Sequence, residues 1–257
     1  MKSVFLVGLL LCLQVVMAEP FRTIPHKSFQ RGEKLTYRIH YGFIEAVEAT
    51  LEIKPENKKF NDRNTLHIVG NGRSKGTFDF FFKVRDRYET YLDEQALMPW
   101  QFVRRIDEGG FKASQDYFFN HYQHKVNLGN NKMLDIVAYT QDMVSGFYLA
   151  RTFDLGNATP GQKFTVPTVV DGELFQLQIK FLGKEVINTA WGKLRCLKFV
   201  PVLQKGRIFK HEEDMLVWLS DDVNHIPIRA KANILFGSIK LDLSDYKGIM
   251  QPLQFLK

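Results

Sequence analysis

The sequence predicts an all-β protein: a single domain of about a dozen mostly antiparallel strands, forming a strongly curved sheet or open barrel with one helix at about 141–152 packed against it. Three observations lead to this prediction. Apolar and polar residues alternate in many segments, as in antiparallel strands with one covered face. Turn-forming residues separate these segments at the spacing of a barrel or sandwich. Only one stretch repeats its apolar residues at helical spacing.

Four segments show the strand-like alternation most clearly. Their apolar faces consist of Leu35, Tyr37, Ile39, Tyr41 and Phe43; of Val47, Ala49, Leu51 and Ile53; of Phe175, Leu177, Ile179 and Phe181; and of Ile239, Leu241 and Leu243. Pairs such as Asn71-Gly72 and Asp171-Gly172 lie between apolar runs and favour tight turns.

The predicted helix is amphipathic. Met143, Phe147 and Ala150 lie along one side of it, and Thr140 or Asp142 is suited to cap its first turn. Neither a linker nor an internal repeat divides the chain, so we expect one β domain over residues 32–246. An extended lead at 19–31 precedes this domain, and a tail at 247–257 follows it.

Residues 1–18 are typical of a secretory signal peptide. Lys2 supplies the positive start, residues 4–13 are apolar, and Ala18 ends a short segment suited to cleavage. Cys12 lies inside the apolar segment and not after a small residue at its end, so a lipid anchor is not expected. The sequence therefore predicts an exported, periplasmic protein that is soluble after cleavage near Ala18, with no transmembrane anchor left.

The composition is that of a globular protein, and it limits the kinds of partner that the chain can have. The chain has 257 residues, of which 45% are hydrophobic and 25% charged, as in average globular domains. Two cysteines exclude a disulfide scaffold. The net charge of +7 favours anionic partners, but no dense basic run supports nucleic acid. We expect a lipid, glycan or envelope protein as partner, while the oligomeric state is left open.

Two charged residues fall where apolar residues belong. In residues 78–92, Phe78, Phe80, Phe82 and Val84 set the inner phase of a predicted strand, which Asp86 and Tyr88 continue. In residues 100–106, Trp100 and Phe102 set the phase, and Arg104 lies within it. Because lone buried charges are costly, we predict that Asp86 and Arg104 point inward and interact. They form either a structural ion pair or the polar element of a ligand cavity. The candidate binding residues are Phe78, Phe80, Phe82, Asp86, Tyr88, Trp100, Phe102 and Arg104.

Signals for catalysis, a metal or a cofactor are weak. His121 and His124 would point to opposite faces of a strand, and residues 221–225 are better explained as a hairpin turn than as a calcium loop. The apolar neighbours of Cys196 predict a buried, inert thiol. No catalytic residue and no cofactor is predicted. A pair for glycoside hydrolysis among the carboxylates is left open; these are Asp86, Glu89, Asp93, Asp107 and Glu108.

Several motifs together resemble one known family, the exported bacterial proteins catalogued as domain of unknown function 3108. The motifs are GEKLTY at 32–37, YGF at 41–43, ATL at 49–51, VRDRY at 84–88, YLD at 91–93, SGFYLAR at 145–151, CLKFVP at 196–201 and WLSDD at 218–222. The resemblance implies a protein of the Gram-negative cell envelope and assigns no catalytic residue. The expected fold is similar in shape to the outer-membrane lipoprotein carriers.

Three functions are consistent with the sequence. The first is a non-enzymatic periplasmic protein that binds an apolar or amphipathic envelope component, or a protein partner, in or beside the β-barrel. The second is a hydrolase of envelope polysaccharide or peptidoglycan that uses paired carboxylates. The third is an assembly scaffold without a small ligand, which would expose a large apolar patch.

Overall fold

A computed structural model describes residues 21–202, 214–234 and 237–256. The predicted signal peptide lies outside these residues. In these ranges, one antiparallel sheet dominates the fold, and two helices accompany it. The strands are β1 (Lys34–Tyr41), β2 (Ile44–Phe60), β3 (Arg63–Ser74), β4 (Arg85–Asp93), β5 (Pro99–Glu108), β6 (Phe111–Asn120), β7 (Lys125–Asn127), β8 (Met133–Asp135), β9 (Lys163–Val170), β10 (Glu173–Thr189), β11 (Gly192–Val202), β12 (Met215–Ser220), β13 (Pro227–Asn233), β14 (Ser238–Lys247) and β15 (Phe255–Leu256). The helices are α1 (Gly76–Phe81) and α2 (Met143–Ala150).

The sheet follows the order β8-β7-β6-β5-β4-β3-β2-β1-β14-β13-β12-β11-β10-β9, and β15 adds to β11. Its two ends curl toward each other, because Val169 of β9 packs with Phe102, Tyr117 and Val126 of β5, β6 and β7. Gln141 forms a parallel bridge with Thr168 of β9 just before α2 begins. The predicted curved antiparallel sheet is therefore confirmed, and it is not closed.

Helix α2 confirms the predicted helix and lies within the curl of the sheet. Asp142 caps it: its Oδ1 accepts hydrogen bonds from the backbone N–H groups of Val144 (2.7 Å) and Ser145 (2.8 Å). The Ser145 hydroxyl in turn accepts the N–H of Asp142 at 2.8 Å, which completes a capping box. Tyr148 and Leu149 are buried against strands β2, β3 and β9. One face of the helix thereby anchors it to the sheet.

A fully buried ion pair fixes the end of this helix. Arg151 donates to both carboxylate oxygens of Glu33, from Nη1 at 2.6 Å and from Nη2 at 2.8 Å, and both side chains are 0% exposed. Its remaining donors reach the backbone carbonyls of Ser28 (2.8 Å) and Asn224 (3.0 Å). Burial by itself would lower the pKa of Arg151, but the charge and hydrogen bonds of Glu33 outweigh it and raise this pKa. The pair therefore ties α2 to the N-terminal lead, to β1 and to the β12–β13 turn.

One predicted strand is wrong in its first part. Residues 78–92 do not form one strand, because Phe78, Phe80 and Phe82 lie in or just after α1 and β4 begins only at Arg85. Phenylalanine occupies positions 78, 80, 81 and 82, so the stretch has no true alternation. Gly76 turns the chain with a φ of +54°, and Asp79 of the helix pairs with Arg85 at 2.7 Å. Phe80 and Phe82 are consequently exposed, not inward.

We predict that Glu33→Gln lowers the free energy of unfolding by about 3–5 kcal/mol, because it leaves the Arg151 charge buried without a counter-charge. Urea unfolding followed by circular dichroism measures this. The double variant Glu33→Leu/Arg151→Met removes both charges and should recover a large part of the loss. A Glu33→Gln protein as stable as the wild type would contradict the structural role of the pair.

Candidate functional site

An apolar cavity of about 570 Å³ lies between α2 and the strands β9 to β12. The exposed side of α2 forms one wall with Met143, Phe147 and Ala150. The opposite walls come from the inner faces of the strands and from the segment after α2; they consist of Phe153, Leu155, Phe164, Val170, Phe175, Leu177, Ile179, Phe199, Pro201, Met215, Val217 and Leu219. The volume falls within the roughly 300–1,000 Å³ typical of ligand pockets.

Two apolar faces predicted from the sequence line part of this cavity, although the sequence did not predict the cavity itself. Met143, Phe147 and Ala150 are the residues predicted to share one side of the helix, and Phe175, Leu177 and Ile179 belong to a predicted apolar strand face. The sequence predicts only that the helix packs against the sheet and that the strand has one covered face. Pairing of the strands and the position of α2 decide that these two faces border a cavity instead, and neither feature can be read from local periodicity.

Arg104 and Asp171 form an ion pair on the cavity wall. Arg104 Nη1 lies 2.7 Å from Asp171 Oδ1 and 3.3 Å from Gln115 Oε1. The Arg104 side chain is only 16% exposed, and its guanidinium carbon lies 5.6 Å from the centre of the Tyr88 ring. Burial tends to lower the pKa of Arg104, but the charges and hydrogen bonds of Tyr88 and Asp171 raise it overall, so the guanidinium stays charged. Arg151 also borders the cavity, but its side chain is fully buried and paired with Glu33. The cavity thus combines apolar walls with a partly exposed ion pair of Arg104 and Asp171.

The turn between β9 and β10 brings Asp171 to Arg104. Asp171 and Gly172 have φ values of +50° and +81°, as a tight two-residue hairpin requires, which confirms the predicted turn. Gly172 lies beside Leu128 and Tyr117 from the other end of the sheet. Arg104 and Asp171 are 67 residues apart in sequence, and the Asp-Gly pattern accounts for Asp171 as a turn residue alone. No sequence signal linked the two.

Asp86 is half-buried beside Arg104 but is not its ion-pair partner. Its side chain is hydrogen-bonded to Glu108, and its Oδ1 accepts the N–H of Asp107 at 3.3 Å. Burial, together with the hydrogen bond and charge of Glu108, raises the pKa of Asp86 to about 7, and Arg104 lowers it only slightly. Asp86 and Arg104 therefore interact through the charge of Arg104, which lowers the pKa of Asp86, and not through a direct ion pair. Two carboxyl groups in direct contact are closer together than the roughly 5–9 Å that separates the paired carboxyl groups of a glycoside hydrolase.

The other predicted binding residues do not line the cavity. Phe102 is buried with Tyr88 and Tyr117, and Trp100 is buried and donates its indole N–H to Asp93 at 3.1 Å. Phe78, Phe80 and Phe82 lie on or beside α1 and are not among the residues that line the cavity. Among the candidate residues, Arg104 contacts the cavity.

Cys196, His121 and Asp222, the other residues considered for chemistry, are held by contacts within the fold. Cys196 is buried, as predicted, and burial raises its thiol pKa to about 12. His121 is buried and its Nε2 lies 2.7 Å from the Pro99 carbonyl oxygen. Asp222 accepts the N–H of Asn224 at 2.9 Å, which confirms the predicted hairpin turn. Within residues 21–202, 214–234 and 237–256, no group of three or more His, Cys, Asp or Glu is placed to hold a metal ion.

Comparison with known families gives one match: the family described as "Protein of unknown function (DUF3108)" matches residues 36–244. No curated protein is significantly similar to the chain in sequence. None of the helices in the described ranges is long and apolar enough to cross a membrane.

Three solved structures resemble the chain at low sequence identity. A beta-barrel-like protein of domain of unknown function DUF1849 from Brucella abortus has 11% identity and a TM-score of 0.53, over 88% of this chain and 98% of that one. A DUF1089 family protein from Pseudomonas aeruginosa has 12% identity and a TM-score of 0.38, over 83% and 95%. A "putative lipoprotein" from Parabacteroides distasonis has 11% identity and a TM-score of 0.37, over 89% and 100%. The first of these likenesses establishes the fold and nothing about function.

The raised pKa of Asp86 makes a prediction about stability. The folded protein holds the Asp86 proton up to about pH 7, whereas an ordinary aspartate loses it near 3.8. Between these values the folded state binds more protons, so the free energy of unfolding falls as pH rises. Asp86→Asn removes this contribution, and its stability should decline less steeply over the same range.

Urea unfolding at a series of pH values tests this. Burial raises the pKa of Asp142 to about 6. Asp142 therefore adds the same pH dependence of stability to the wild type and to Asp86→Asn, and this contribution cancels when the two proteins are compared. Equal slopes for the wild type and Asp86→Asn would show that the Asp86 proton is not held by the fold.

Proposed function

Because the chain belongs to the family described as protein of unknown function DUF3108, we propose its function from the cavity: it is an exported, non-enzymatic protein that binds an amphipathic molecule of the cell envelope. The apolar part of the ligand occupies the 570 Å³ cavity. The polar part lies at Arg104, beside Asp171. The predicted leader at residues 1–18 supports export.

The size and lining of the cavity carry this proposal. Protein interiors are packed as densely as organic crystals, and voids much larger than a water molecule are few. A space of this size between α2 and the sheet forgoes the packing that would stabilise the fold, and an apolar ligand would restore it. The charged pair at the wall gives the ligand an orientation, since a guanidinium favours a carboxylate or phosphate oxygen.

We expect a fluorescent long-chain fatty acid to bind the wild-type protein and to lose at least tenfold in affinity in Ala150→Trp. Ala150 faces the cavity from α2, so the larger ring fills the space that the acyl chain would occupy. Fluorescence titration measures the affinity. The matched control is Ala190→Trp in the exposed turn between β10 and β11, which should bind as the wild type does.

A second arm of this titration tests the polar end. Arg104→Gln should weaken binding of the ionised fatty acid at least tenfold, because hydrogen bonds to charged groups are worth about 1.5–3 kcal/mol, and should leave binding of its methyl ester nearly unchanged. Arg105→Gln is the control, since Arg105 pairs with Asp116 on the exposed surface. Equal binding by Ala150→Trp and the wild type, or no binding at all, would overturn the proposal.

A further inference from the structure

Exposed apolar side chains gather at one strand-end edge of the sheet. The β1–β2, β3–β4 and β5–β6 connections all lie at this edge, because consecutive antiparallel strands reverse direction. We call its exposed apolar residues the aromatic rim: Phe43 (105% exposed), Ile44 (52%), Phe80 (87%), Phe81 (82%), Phe82 (45%) and Phe111 (55%).

Contacts between the three connections hold the rim together. The Tyr41 ring lies 6.5 Å from that of Phe78 in α1, and the Lys75 N–H donates to the Ala46 carbonyl at 3.0 Å. On the other side, the Gly109 N–H donates to the Lys83 carbonyl at 2.8 Å, and Phe82 lies directly against Gly109. The rim is therefore one supported surface and not three independent loops.

We propose that the aromatic rim is a membrane-docking surface that inserts its phenylalanines into the interfacial region of an anionic lipid bilayer. Phe43, Phe80 and Phe81 are almost fully exposed. The Phe80 and Phe81 rings contact each other edge to face, with centroids 5.4 Å apart, and both still protrude from the edge of the sheet. A fluid bilayer accepts such protruding side chains without a complementary shape, whereas a protein partner needs matched packing. Exposed phenylalanines combined with basic residues are typical of segments that lie in the membrane interface.

The charges around the rim fit an anionic surface. Lys83 follows the phenylalanines directly and is exposed, and the Lys112 side chain beside Phe111 is 75% exposed. Four neighbouring carboxylates are less exposed, at 32–39%, and each lies within 4 Å of a basic side chain; they are Glu45, Glu48, Asp79 and Asp107. Glu108, opposite Phe111 in the β5–β6 hairpin, is also only partly exposed. The outermost charges are thus cations, which anionic lipids attract.

The rim and the cavity lie toward the same edge of the sheet. The β9–β10 turn with Asp171 is at this edge, as are the end of β11 near Pro201 and the start of β12 at Met215. Docking through the rim would therefore turn this side of the cavity toward the bilayer. Docking itself does not require that the cavity holds a ligand, so it stands independently of the proposed function.

Co-sedimentation with vesicles tests the docking surface. We expect the wild-type protein to bind vesicles of phosphatidylcholine and phosphatidylglycerol more tightly than vesicles of phosphatidylcholine alone. Phe80→Ser/Phe81→Ser should lose at least tenfold in affinity for both, because burial of these two rings drives insertion. Lys83→Gln/Lys112→Gln should lose only the preference for phosphatidylglycerol.

Matched controls are Phe118→Ser near the far end of β6 and Val223→Ser in the β12–β13 turn, which are similarly exposed (47% and 49%) but lie away from the rim. Circular dichroism melts confirm that all variants fold, and all carry the same termini. Binding that is absent, or equal in the rim double variant and the controls, would overturn the proposal. A dimer seen by light scattering that the rim double variant dissociates would also overturn it, since a second copy would then cover the rim.

Discussion

The buried ion pair of Arg151 and Glu33 is the interaction on which the arrangement of the molecule depends. Neither charge has access to water, so each must be satisfied within the protein. Arg151 meets this requirement with Glu33 and with the carbonyls of Ser28 and Asn224. One guanidinium thus sets the position of α2 relative to three other parts of the chain. The wall that α2 gives to the cavity follows from this position.

The second constraint is the curl of a sheet that remains open. Strands β8 and β9 are the two ends of the sheet. Two contacts connect these ends: Val169 packs into an aromatic cluster from the other end, and Arg104 pairs with Asp171. Side chains fill the space on the β2–β4 side of α2, where Tyr148 and Leu149 are buried. On the β9–β12 side the space stays open and apolar. This difference between the filled and the open side of α2 supports the proposal that the open side binds a ligand.

Local patterns predicted those parts of the structure that depend on neighbours in sequence. Strand alternation, the Asp171-Gly172 turn and the cap at Asp142 are such features, and all three are present. The patterns failed for residues 78–82, because four phenylalanines in five positions fit a strand face as well as a short helix. They placed Arg104 inward, but its partner Asp171 is set by the curl of the whole sheet. Long-range geometry therefore accounts for what the sequence could not predict about the site.

Native mass spectrometry combined with solvent extraction is the most direct test of a ligand in the cavity. The protein is purified from its own cells without detergent, and the extract is analysed for lipids. Our account predicts a mass above that of the bare chain by the mass of one amphipathic molecule, which the extract contains and which Ala150→Trp lacks. A wild-type protein at its bare-chain mass, with an extract free of lipid, would contradict the account.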